Sequence, residues 1–357
     1  MQHTVLITGA AGYVGAMLVE QFAKRSDVAR IIAVDKEAAP EAIAKEPKLV
    51  YIESNTADAQ WQKQVKKYAP NIVIHAAWQI REMYGEQDIE WEWNIGGSDK
   101  VFDFALGEPS VARLVYFSTV ASYGAFADNT IEHRFAEKEP FRKTSYLYAE
   151  EKRVAEEHLE QKYAAAKASG KNIVVSVLRP AAVTGPRGRF MRIRFGLQSA
   201  LSGQLKGSFV YDLISRMVAV VPVTAKWCRQ FIHEDDVADI VERIAFGDTP
   251  WQYEAFNICP PGEVVRGPDM ARAVGKRMVR VHPYIIRTAF FAMWHLTRGR
   301  VPTGKGAWKG YSYPIAVDGS KLTRMTDFAY KYSPYEAFYY TTGRYEAFVP
   351  ADKRRSK

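Results

Sequence analysis

The first fifteen residues constrain the fold of this chain more than any other part of it. A short apolar run, Thr4 to Thr8, is rich in β-branched residues and predicts a buried strand. Three glycines spaced G-x-x-G-x-x-G follow at once: Gly9, Gly12 and Gly15. An apolar-periodic segment, Met17 to Phe22, then predicts a helix. A strand, a glycine turn and a helix N-terminus in this order indicate a dinucleotide diphosphate site, and the alternative is a tight turn without a ligand.

Strand-like and helix-like patterns alternate from residue 4 to residue 180. Predicted strands cover residues 30–35, 49–52, 71–75, 114–118 and 172–178, and predicted helices cover 57–68 and 145–168. This alternation predicts an α/β fold with a doubly wound parallel (Rossmann) sheet covered on both faces. We assign residues 1–180 to this domain. We expect 229–258 to return to it, with a strand at 230–233, a helix at 235–245 and a strand at 256–258.

The other segments predict a smaller, discontinuous C-terminal substrate lobe at 181–228 and 259–348, followed by a basic tail at 349–357. The apolar stretch 285–296 is shorter than the ~18 residues that a membrane-spanning helix needs. We expect it to be a buried helix of the substrate lobe. The alternative is a helix lying on a membrane surface, because Arg298, Arg300 and Lys305 follow it.

Charge, cysteine and histidine content exclude several classes of protein. The net charge is +9, but no basic stripe accompanies a known nucleic-acid module, so we expect anionic small molecules as partners instead of nucleic acid. Two cysteines, Cys228 and Cys259, are too few for a disulfide framework and predict a cytoplasmic protein. We expect no signal peptide, because a strand begins within three residues of the N-terminus. His75 and His233 lack neighbours at metal-binding spacing, so we predict structural roles and no metal.

Asp35 ends the second predicted strand, ~20 residues after the glycine turn, where an acid can accept hydrogen bonds from both ribose hydroxyls of NAD. A carboxylate there repels the 2′-phosphate of NADP. We therefore predict NAD as the cofactor, while the adjacent Lys36 leaves NADP open. The alternative for Asp35 is a turn residue at the end of a strand.

Tyr148 and Lys152 lie one helical turn apart on the same face of the predicted helix 145–168. An ammonium this close is expected to lower the phenol pKa from ~10, so that the phenolate can accept a proton from a carbinol. Tyr163 and Lys167 repeat this spacing, but ~22 Å further along the helix axis. We expect the ring of Tyr163 to pack on the sheet, and we choose Tyr148 and Lys152 as the catalytic pair.

Hydroxyl side chains follow the fifth predicted strand, at Ser118, Thr119 and Ser122. Ligands bind beyond the carboxyl ends of parallel strands, so a hydroxyl here can contact the reacting oxygen. Thr119 is our first candidate, followed by Ser118 and Ser122. The alternative is that these hydroxyls only cap a turn.

Taken together, these motifs resemble the extended short-chain dehydrogenase/reductase family, in its NAD-dependent epimerase/dehydratase branch. Further matches run in order along most of the chain: His75-Ala76-Ala77, Asn94 with Gly97, Tyr123-Gly124, Leu178-Arg179-Pro180 before Gly185-Pro186, Arg229 before Phe231-Ile232-His233, and Asp236-Val237-Ala238. The resemblance implies that Thr119 hydrogen-bonds the substrate oxygen, that Tyr148 is the acid/base and that Lys152 orients the cofactor. It also implies a homodimer.

The resemblance further implies which residues surround the ligands. The cofactor set comprises Gly9, Ala11, Gly12, Tyr13, Val14, Gly15, Asp35, Lys36, Asn55, Thr56, Ala76, Ala77, Asn94, Ser118, Tyr148, Lys152, Pro180 and Val183. The substrate set comprises Trp78, Ser118, Thr119, Ser122, Arg189 and Arg229. Asn55 stands where the family often has an aspartate touching adenine, and Arg229 matches an arginine that binds the substrate diphosphate in nucleotide-sugar enzymes.

Two departures from the family pattern bear on the substrate. Dehydratases carry Asp-Glu after the catalytic hydroxyl, where this chain has Val120 and Ala121, so a 4,6-dehydratase is disfavoured. Ala182 stands where many nucleotide-sugar epimerases have an asparagine, which weakens that prediction without removing it. A set of arginines could still bind a diphosphate or else form a solvated basic loop: Arg187, Arg189, Arg192, Arg194 and Arg229.

The sequence is consistent with three candidate functions. We predict a nucleotide-sugar epimerase that removes a hydride at a carbinol and returns it. The first alternative is an NAD(P)-dependent dehydrogenase or reductase of a bulky apolar alcohol or ketone, of the hydroxysteroid or flavonoid type. The second alternative, from another class, is a non-catalytic NAD-binding scaffold.

Overall fold

The computed structural model describes residues 2–188, 220–273, 275–340 and 342–348. The strands are β1 His3–Thr8, β2 Val28–Asp35, β3 Leu49–Glu53, β4 Ile72–His75, β5 Arg113–Phe117, β6 Val174–Pro180, β7 Ala182–Thr184, β8 Val220–Val223, β9 Cys228–Arg229, β10 Phe231–His233, β11 Tyr253–Ile258, β12 Val265–Arg266 and β13 Arg277–Arg280. The α-helices are α1 Tyr13–Ala23, α2 Glu41–Ala44, α3 Gln60–Lys66, α4 Gln87–Trp91, α5 Gly97–Gly107, α6 Leu147–Ala168, α7 Glu234–Phe246, α8 Gly267–Ala273, α9 Pro283–Leu296, α10 Ala307–Ser312, α11 Ser320–Thr326 and α12 Pro334–Tyr339. A π-helical turn covers Glu92–Gly96, and 3-10 turns cover Val120–Tyr123 and Glu346–Phe348.

Seven strands form the central sheet in the order β11-β6-β5-β4-β1-β2-β3, and every neighbouring pair is parallel. The order reverses between β1 and β4. In open α/β sheets, ligands bind in the crevice beyond the carboxyl ends of the strands at such a reversal. The predicted doubly wound parallel sheet is therefore confirmed, and its topology fixes where a ligand site is expected.

Strand β1 shows how the sheet is covered on both faces. Val5 and Ile7 join a buried cluster with Met17 of α1, whereas Leu6 joins a second cluster with Trp61 of α3. Successive side chains of a strand point to opposite faces, so a strand buried on both sides must be apolar at every position. Burying each such side chain stabilises the fold by about 1.5–3 kcal/mol.

The observed elements differ from the predicted ones mainly at their ends. Helix α1 begins at Tyr13, four residues before the predicted start, and β6 runs two residues further than expected. The predicted strand at 230–233 is β10, but it pairs with the short β7 and not with the central sheet. Strand β11 does join that sheet, beside β6. Periodicity identifies a strand but does not name its partner, which explains the difference at β10.

Helix α9 is exposed over most of its surface. Of its fourteen residues, all described, just Ile286 and Trp294 are buried. Four large apolar side chains are 64%, 58%, 66% and 82% exposed: Tyr284, Ile285, Phe291 and Leu296. The expectation of a buried helix was therefore wrong, because the neighbouring segments cover one edge of the helix. Within the described ranges, no helix combines the length and apolar character needed to cross a bilayer.

The C-terminal segment of the described chain contacts the first helix. Gln21 of α1 accepts hydrogen bonds from the Arg344 guanidinium at 2.6 Å and from the Tyr345 hydroxyl at 3.0 Å. The Arg344 backbone N–H also donates to the Asp235 carboxylate in α7. These hydrogen bonds hold the C-terminal segment of the described chain against α1 and α7.

Candidate active site

The glycine turn after β1 is packed so tightly that two of its glycines have no room for a side chain. Gly9 adopts φ +75°, and a Cβ there would lie 2.5 Å from the Ala77 nitrogen. A Cβ on Gly15 would lie 2.1 Å from the Gly9 carbonyl oxygen. Gly12 precedes α1 as its N-cap residue, and no described side chain caps this helix. No described side-chain cap therefore competes with an anion at the start of α1, as a diphosphate site at this turn requires.

Asp35 is fixed beside this turn. Its carboxylate accepts hydrogen bonds from the Ala11 N–H at 2.9 Å and the Glu37 N–H at 3.0 Å, and burial raises its pKa. The Lys36 ammonium lies 4.0 Å from the centroid of the Trp93 ring. The acid therefore faces the glycine turn while the neighbouring cation is held on an aromatic face, an arrangement that favours NAD over NADP.

The segment after β3 forms the adjoining edge of this region. The Asn55 side-chain oxygen accepts a hydrogen bond from the Ala57 N–H at 3.0 Å, which closes a tight turn. Thr56 is buried, and its hydroxyl lies 2.6 Å from the place where a Cβ on Gly97 would stand. Asn55 thus keeps acceptor capacity on the same oxygen for an adenine amino group.

A cavity of about 540 Å³ opens beyond the carboxyl ends of β1, β4, β5 and β6. Its lining includes many of the predicted site residues: Tyr13, Val14, Ala76, Trp78, Ser118, Thr119, Tyr148, Lys152, Pro180, Val183 and Arg229. Val120, Ala121 and Ala182 also line it, so both departures from the family pattern lie at the site itself. The volume and the mixed apolar and polar lining are typical of small-molecule sites.

The side-chain hydroxyls of Tyr148 and Thr119 both line this cavity. Tyr148 is the second residue of α6, and Thr119 is the residue that caps the 3-10 turn after β5, with its Oγ1 accepting from the Ala121 N–H at 3.2 Å. Burial raises the Tyr148 pKa above 10, and the nearby Thr119 hydroxyl acts against this rise. Both hydroxyls therefore face the space in which a substrate oxygen would lie.

Lys152 is directed differently from the sequence expectation. Its Nζ donates to the Phe117 carbonyl at 2.5 Å and lies 3.5 Å from the centroid of the Trp78 ring, and burial lowers its pKa well below 10.5. The expected lowering of the Tyr148 pKa by this ammonium was therefore wrong for this structure. The helical spacing fixes where the lysine stem begins, but β5 and the indole ring determine where its end lies.

Two buried polar atoms at the cavity have no hydrogen-bond partner among the described residues: Ser118 Oγ and Trp78 Nε1. Such atoms are few in native proteins, and each usually has a functional reason. Together with the glycine turn and Asp35, they fit a cofactor that brings its own hydroxyl and amide groups. The residues present thus fit NAD.

Some predicted residues lie outside the cavity lining that the described residues form. Ser122 is fully buried, and its hydroxyl donates to the Ala149 carbonyl at 3.4 Å. The buried Asn94 amide donates to the Gln79 carbonyl and to the Glu151 carboxylate, so it positions other groups of the site. Arg187 is buried in an ion pair with Glu20 at 2.6 Å and is not part of a solvated loop. Arg189, Arg192 and Arg194 lie outside the described residues.

The two histidines considered for a metal are held by protein groups. His75 hydrogen-bonds to Thr8 through Nδ1 and to Ser98 through Nε2, and burial lowers its pKa to about 3. His233 accepts from the Asp235 N–H at 3.2 Å. In the part of the chain that the structure describes, no group of three or more potential ligands is arranged for a metal.

The competing tyrosine, Tyr163, packs as expected. Its ring lies 4.9 Å from the ring of Tyr253 on β11, and it is buried in the cluster on that face of the sheet. The prediction that it packs on the sheet is confirmed. It therefore serves as a natural control for Tyr148.

Arg229 contributes the main cationic group on the substrate side of the cavity. Its Nη2 lies 3.5 Å from the Gly310 carbonyl oxygen. Among the described residues, no carboxylate lies within 4 Å of its guanidinium. A partly exposed guanidinium without a counter-ion, facing a cavity, is suited to a diphosphate or a carboxylate of a ligand.

Sequence reasoning missed a group of three carboxyl groups, of which Glu90 and Glu151 are buried and Glu82 is half-buried. Burial raises the pKa of Glu90 to about 7 and that of Glu151 to about 8. The negative charge of Glu82 adds to both shifts, and that of Glu90 adds to the shift of Glu151. Glu151 precedes Lys152 on α6 and binds Asn94. Glu82 and Glu90 belong to an acidic, aromatic segment that reads as exposed, so its pattern gave no signal of burial.

Comparisons with known proteins agree with this geometry. The model of the NAD dependent epimerase/dehydratase family matches residues 5–259. The Bordetella bronchiseptica enzyme WbmG, solved with NAD and UDP, is 20% identical with a TM-score of 0.66, over 94% of this chain and 92% of that one. UDP-glucose 4-epimerase from Thermotoga maritima, solved with UDP-glucose, is 19% identical with a TM-score of 0.66, over 94% and 96%.

A third similar structure is dTDP-glucose 4,6-dehydratase from Bacillus anthracis in complex with NAD, at 16% identity and a TM-score of 0.64, over 94% and 96% of the two chains. Such identities show a shared fold. The family model covers most of the chain, and Thr119, Tyr148 and Lys152 all line the cavity. The chain is an enzyme that uses NAD, and it belongs to the NAD-dependent epimerase/dehydratase family of extended short-chain dehydrogenases/reductases.

Proposed function

We propose that this enzyme epimerises a nucleotide-activated sugar at a ring carbinol. The observation that carries the proposal is that the cavity holds both the Thr119–Tyr148 hydroxyl pair and the unneutralised Arg229 guanidinium. A hydroxyl pair suits a carbinol, and a free guanidinium suits the diphosphate of the same substrate. The three solved relatives are named as nucleotide-sugar enzymes or were solved with UDP or a UDP-sugar, which supports this class.

Each residue has a defined task in this proposal. Tyr148 takes the hydroxyl proton of the carbinol and later gives it back, while Thr119 holds the same substrate oxygen and the tyrosine in line. Lys152 and Ser118 hold the ribose and amide groups of the cofactor, and Asp35 holds its adenosine ribose. NAD, when bound, accepts a hydride from the carbinol carbon and returns it. Arg229 binds the diphosphate, which keeps the sugar in place between the two transfers.

A 4,6-dehydratase remains disfavoured at this site. Water elimination needs a second acid/base pair next to the catalytic hydroxyl. Val120 and Ala121 line the cavity at that place, and neither side chain can carry a proton.

The matched pair Tyr148→Phe and Tyr163→Phe tests the proposal. Both variants remove one phenolic hydroxyl from the same helix, and the Tyr163 ring packs far from the cavity. With a panel of UDP-, GDP- and dTDP-sugars, we expect Tyr148→Phe to lower kcat by about 10²–10⁴-fold and Tyr163→Phe to leave it unchanged. Equal turnover in the two variants would overturn the assignment of Tyr148.

The diphosphate contact has its own test. Arg229→Met is expected to raise KM for the nucleotide-sugar by about tenfold or more, because a charge-assisted contact is lost, with a smaller effect on kcat. Binding of NAD alone, followed by thermal shift, serves as the control. A weaker NAD response with an unchanged KM would show that the arginine serves the cofactor instead.

A second candidate is a dehydrogenase or reductase of a bulky apolar alcohol or ketone. Ala182 removes a polar contact to phosphate, and Ile80, Pro302 and Tyr313 give the cavity an apolar wall. An epimerase returns the hydride, whereas a dehydrogenase releases one NADH per turnover. Accumulation of free NADH with an apolar alcohol, and no conversion of sugars, would favour this candidate. The homodimer and the cytoplasmic location stay predictions.

A further inference from the structure

Helix α9 presents a largely apolar face to solvent, on which Thr288 and His295 are the polar residues. Tyr284, Thr288 and Phe291 follow one another at helical spacing, and Ile285, Ala289 and Leu296 form the adjacent row. All six are exposed, while Ile286 and Trp294 face the protein. Contiguous exposed apolar surface on a folded protein marks a site of interaction.

The segment around this helix also carries the whole excess charge of the chain. Residues 270–317 contain no Asp or Glu and nine basic residues: Arg272, Lys276, Arg277, Arg280, Arg287, Arg298, Arg300, Lys305 and Lys309. The chain as a whole has 49 Lys and Arg against 40 Asp and Glu, so the rest of it is balanced. In the described part of the protein, no ion pair neutralises Arg287, Arg298 or Arg300, and all three are exposed.

We propose that α9 lies on an anionic lipid bilayer, with its apolar face at the level of the acyl chains and the surrounding arginines and lysines against the headgroups. An apolar helix face flanked by cations and free of acids is the chemistry that such a surface selects. At fourteen residues the helix is ~21 Å long, which suits a position parallel to the surface. A second copy of the chain is the poorer occupant, because pairing this face with itself would oppose two cationic segments without an acid between them.

This surface continues to the mouth of the cavity. The Tyr84 ring lies 5.4 Å from the Trp294 ring, and its hydroxyl lies 3.1 Å from His295 Nδ1. Ile80 is exposed and lines the cavity, as do Pro302 and Lys309, which follow α9 in the chain. A bilayer bound to α9 therefore lies next to the opening through which a substrate enters, and substrates or products with an apolar portion are accessible from the lipid side.

Vesicle co-sedimentation of the full chain without substrate tests this proposal. The probes are phosphatidylcholine vesicles with and without about one-third phosphatidylglycerol, at low and high salt. We expect binding to the anionic vesicles that falls at least about tenfold in the triple variant Ile285→Ser, Phe291→Ser, Leu296→Ser and in the double variant Arg298→Glu, Arg300→Glu. All five residues are exposed, so these variants are expected to fold, which circular dichroism checks.

Matched controls lie elsewhere on the surface. Ile89→Ser removes an exposed apolar side chain, and Lys63→Glu with Lys67→Glu reverses two exposed charges, so both are expected to bind like the parent protein. Absence of binding to anionic vesicles at low salt, or equal losses in the controls, would overturn the proposal. So would light scattering that shows the triple variant changing a dimer into a monomer, because the face would then be covered by a second copy. Vesicle binding does not require turnover, so its failure leaves the proposed epimerase intact.

Discussion

The pH dependence of unfolding depends on a buried carboxyl group, Glu90. Its side chain is 0% exposed, one oxygen accepts a hydrogen bond from the Met83 N–H at 2.6 Å, and the other has no partner among the described residues. Burial, reinforced by the negative charge of Glu82, raises its pKa from 4.5 to about 7. The folded state therefore holds a proton at a pH where the unfolded chain has lost it.

The sign and size of the effect follow from this difference. Between the unfolded and folded pKa values the folded state binds more protons, so stability falls as pH rises and levels off above about pH 7. One pKa unit corresponds to about 1.36 kcal/mol, so the shift gives an upper limit of about 3 kcal/mol. We expect about 1–3 kcal/mol in practice, because water penetration and local rearrangement relieve part of the cost of the buried charge.

The perturbation is Glu90→Gln, whose amide oxygen can still accept from Met83 while no negative charge can form. Urea unfolding from about pH 5 to about pH 8.5 is the assay. We expect the variant to match the parent protein near pH 5 and to exceed its free energy of unfolding by about 1–3 kcal/mol near pH 8. Glu86→Gln, which changes an exposed carboxylate in the same segment, is the control. A variant that is less stable than the parent near pH 8, or equally pH-dependent, would refute the reasoning.

Three other substitutions probe the turn, a buried ion pair and cofactor choice. Gly15→Ala places a methyl group 2.1 Å from a backbone carbonyl oxygen of the glycine turn. Thermal shift should therefore show a lower Tm and no response to NAD. Gly107→Ala is the control and should show neither effect, because no described atom lies within 4 Å of its added Cβ. Arg179→Met leaves the Glu156 carboxylate buried without its partner, so urea unfolding should show a loss of about 3–5 kcal/mol, most of it recovered when Glu156→Leu is added. Asp35→Asn removes the charge that repels a 2′-phosphate. The ratio of NADP affinity to NAD affinity, measured by calorimetry, should therefore rise about tenfold or more. An unchanged ratio would contradict this role of Asp35.

The features that sequence predicts well here are those set by neighbours in the chain. The strand, glycine turn and helix at the N-terminus are local, so spacing alone predicts them. Tyr148 was separated from Tyr163 because position along one helix determines which residue reaches the carboxyl edge of the sheet. Thr119 and Tyr148 line the same cavity because the end of β5 and the start of α6 lie at one edge of the sheet.

The features that sequence did not predict depend on distant groups. The end of the Lys152 side chain is held by Phe117 of β5 and by Trp78 in the segment after β4, which a helical spacing cannot show. Glu90 is buried although its segment is acidic, because tertiary packing and not local pattern decides its exposure. Helix α9 has an apolar pattern typical of burial, and the sequence offered a surface position only as the alternative, through Arg298, Arg300 and Lys305.

The bonds from Arg344 and Tyr345 to Gln21 have a consequence for the order of folding. Gln21 is synthesised 324 residues before Tyr345, a delay of roughly 20–60 s at ribosomal rates of about 5–20 residues per second. The first helix and its glycine turn therefore leave the ribosome long before the groups that secure α1 from the other end of the chain exist. A nascent chain that stalls or is cut before residue 344 can build the central strands, but it cannot form the hydrogen bonds that hold α1, the helix at the glycine turn.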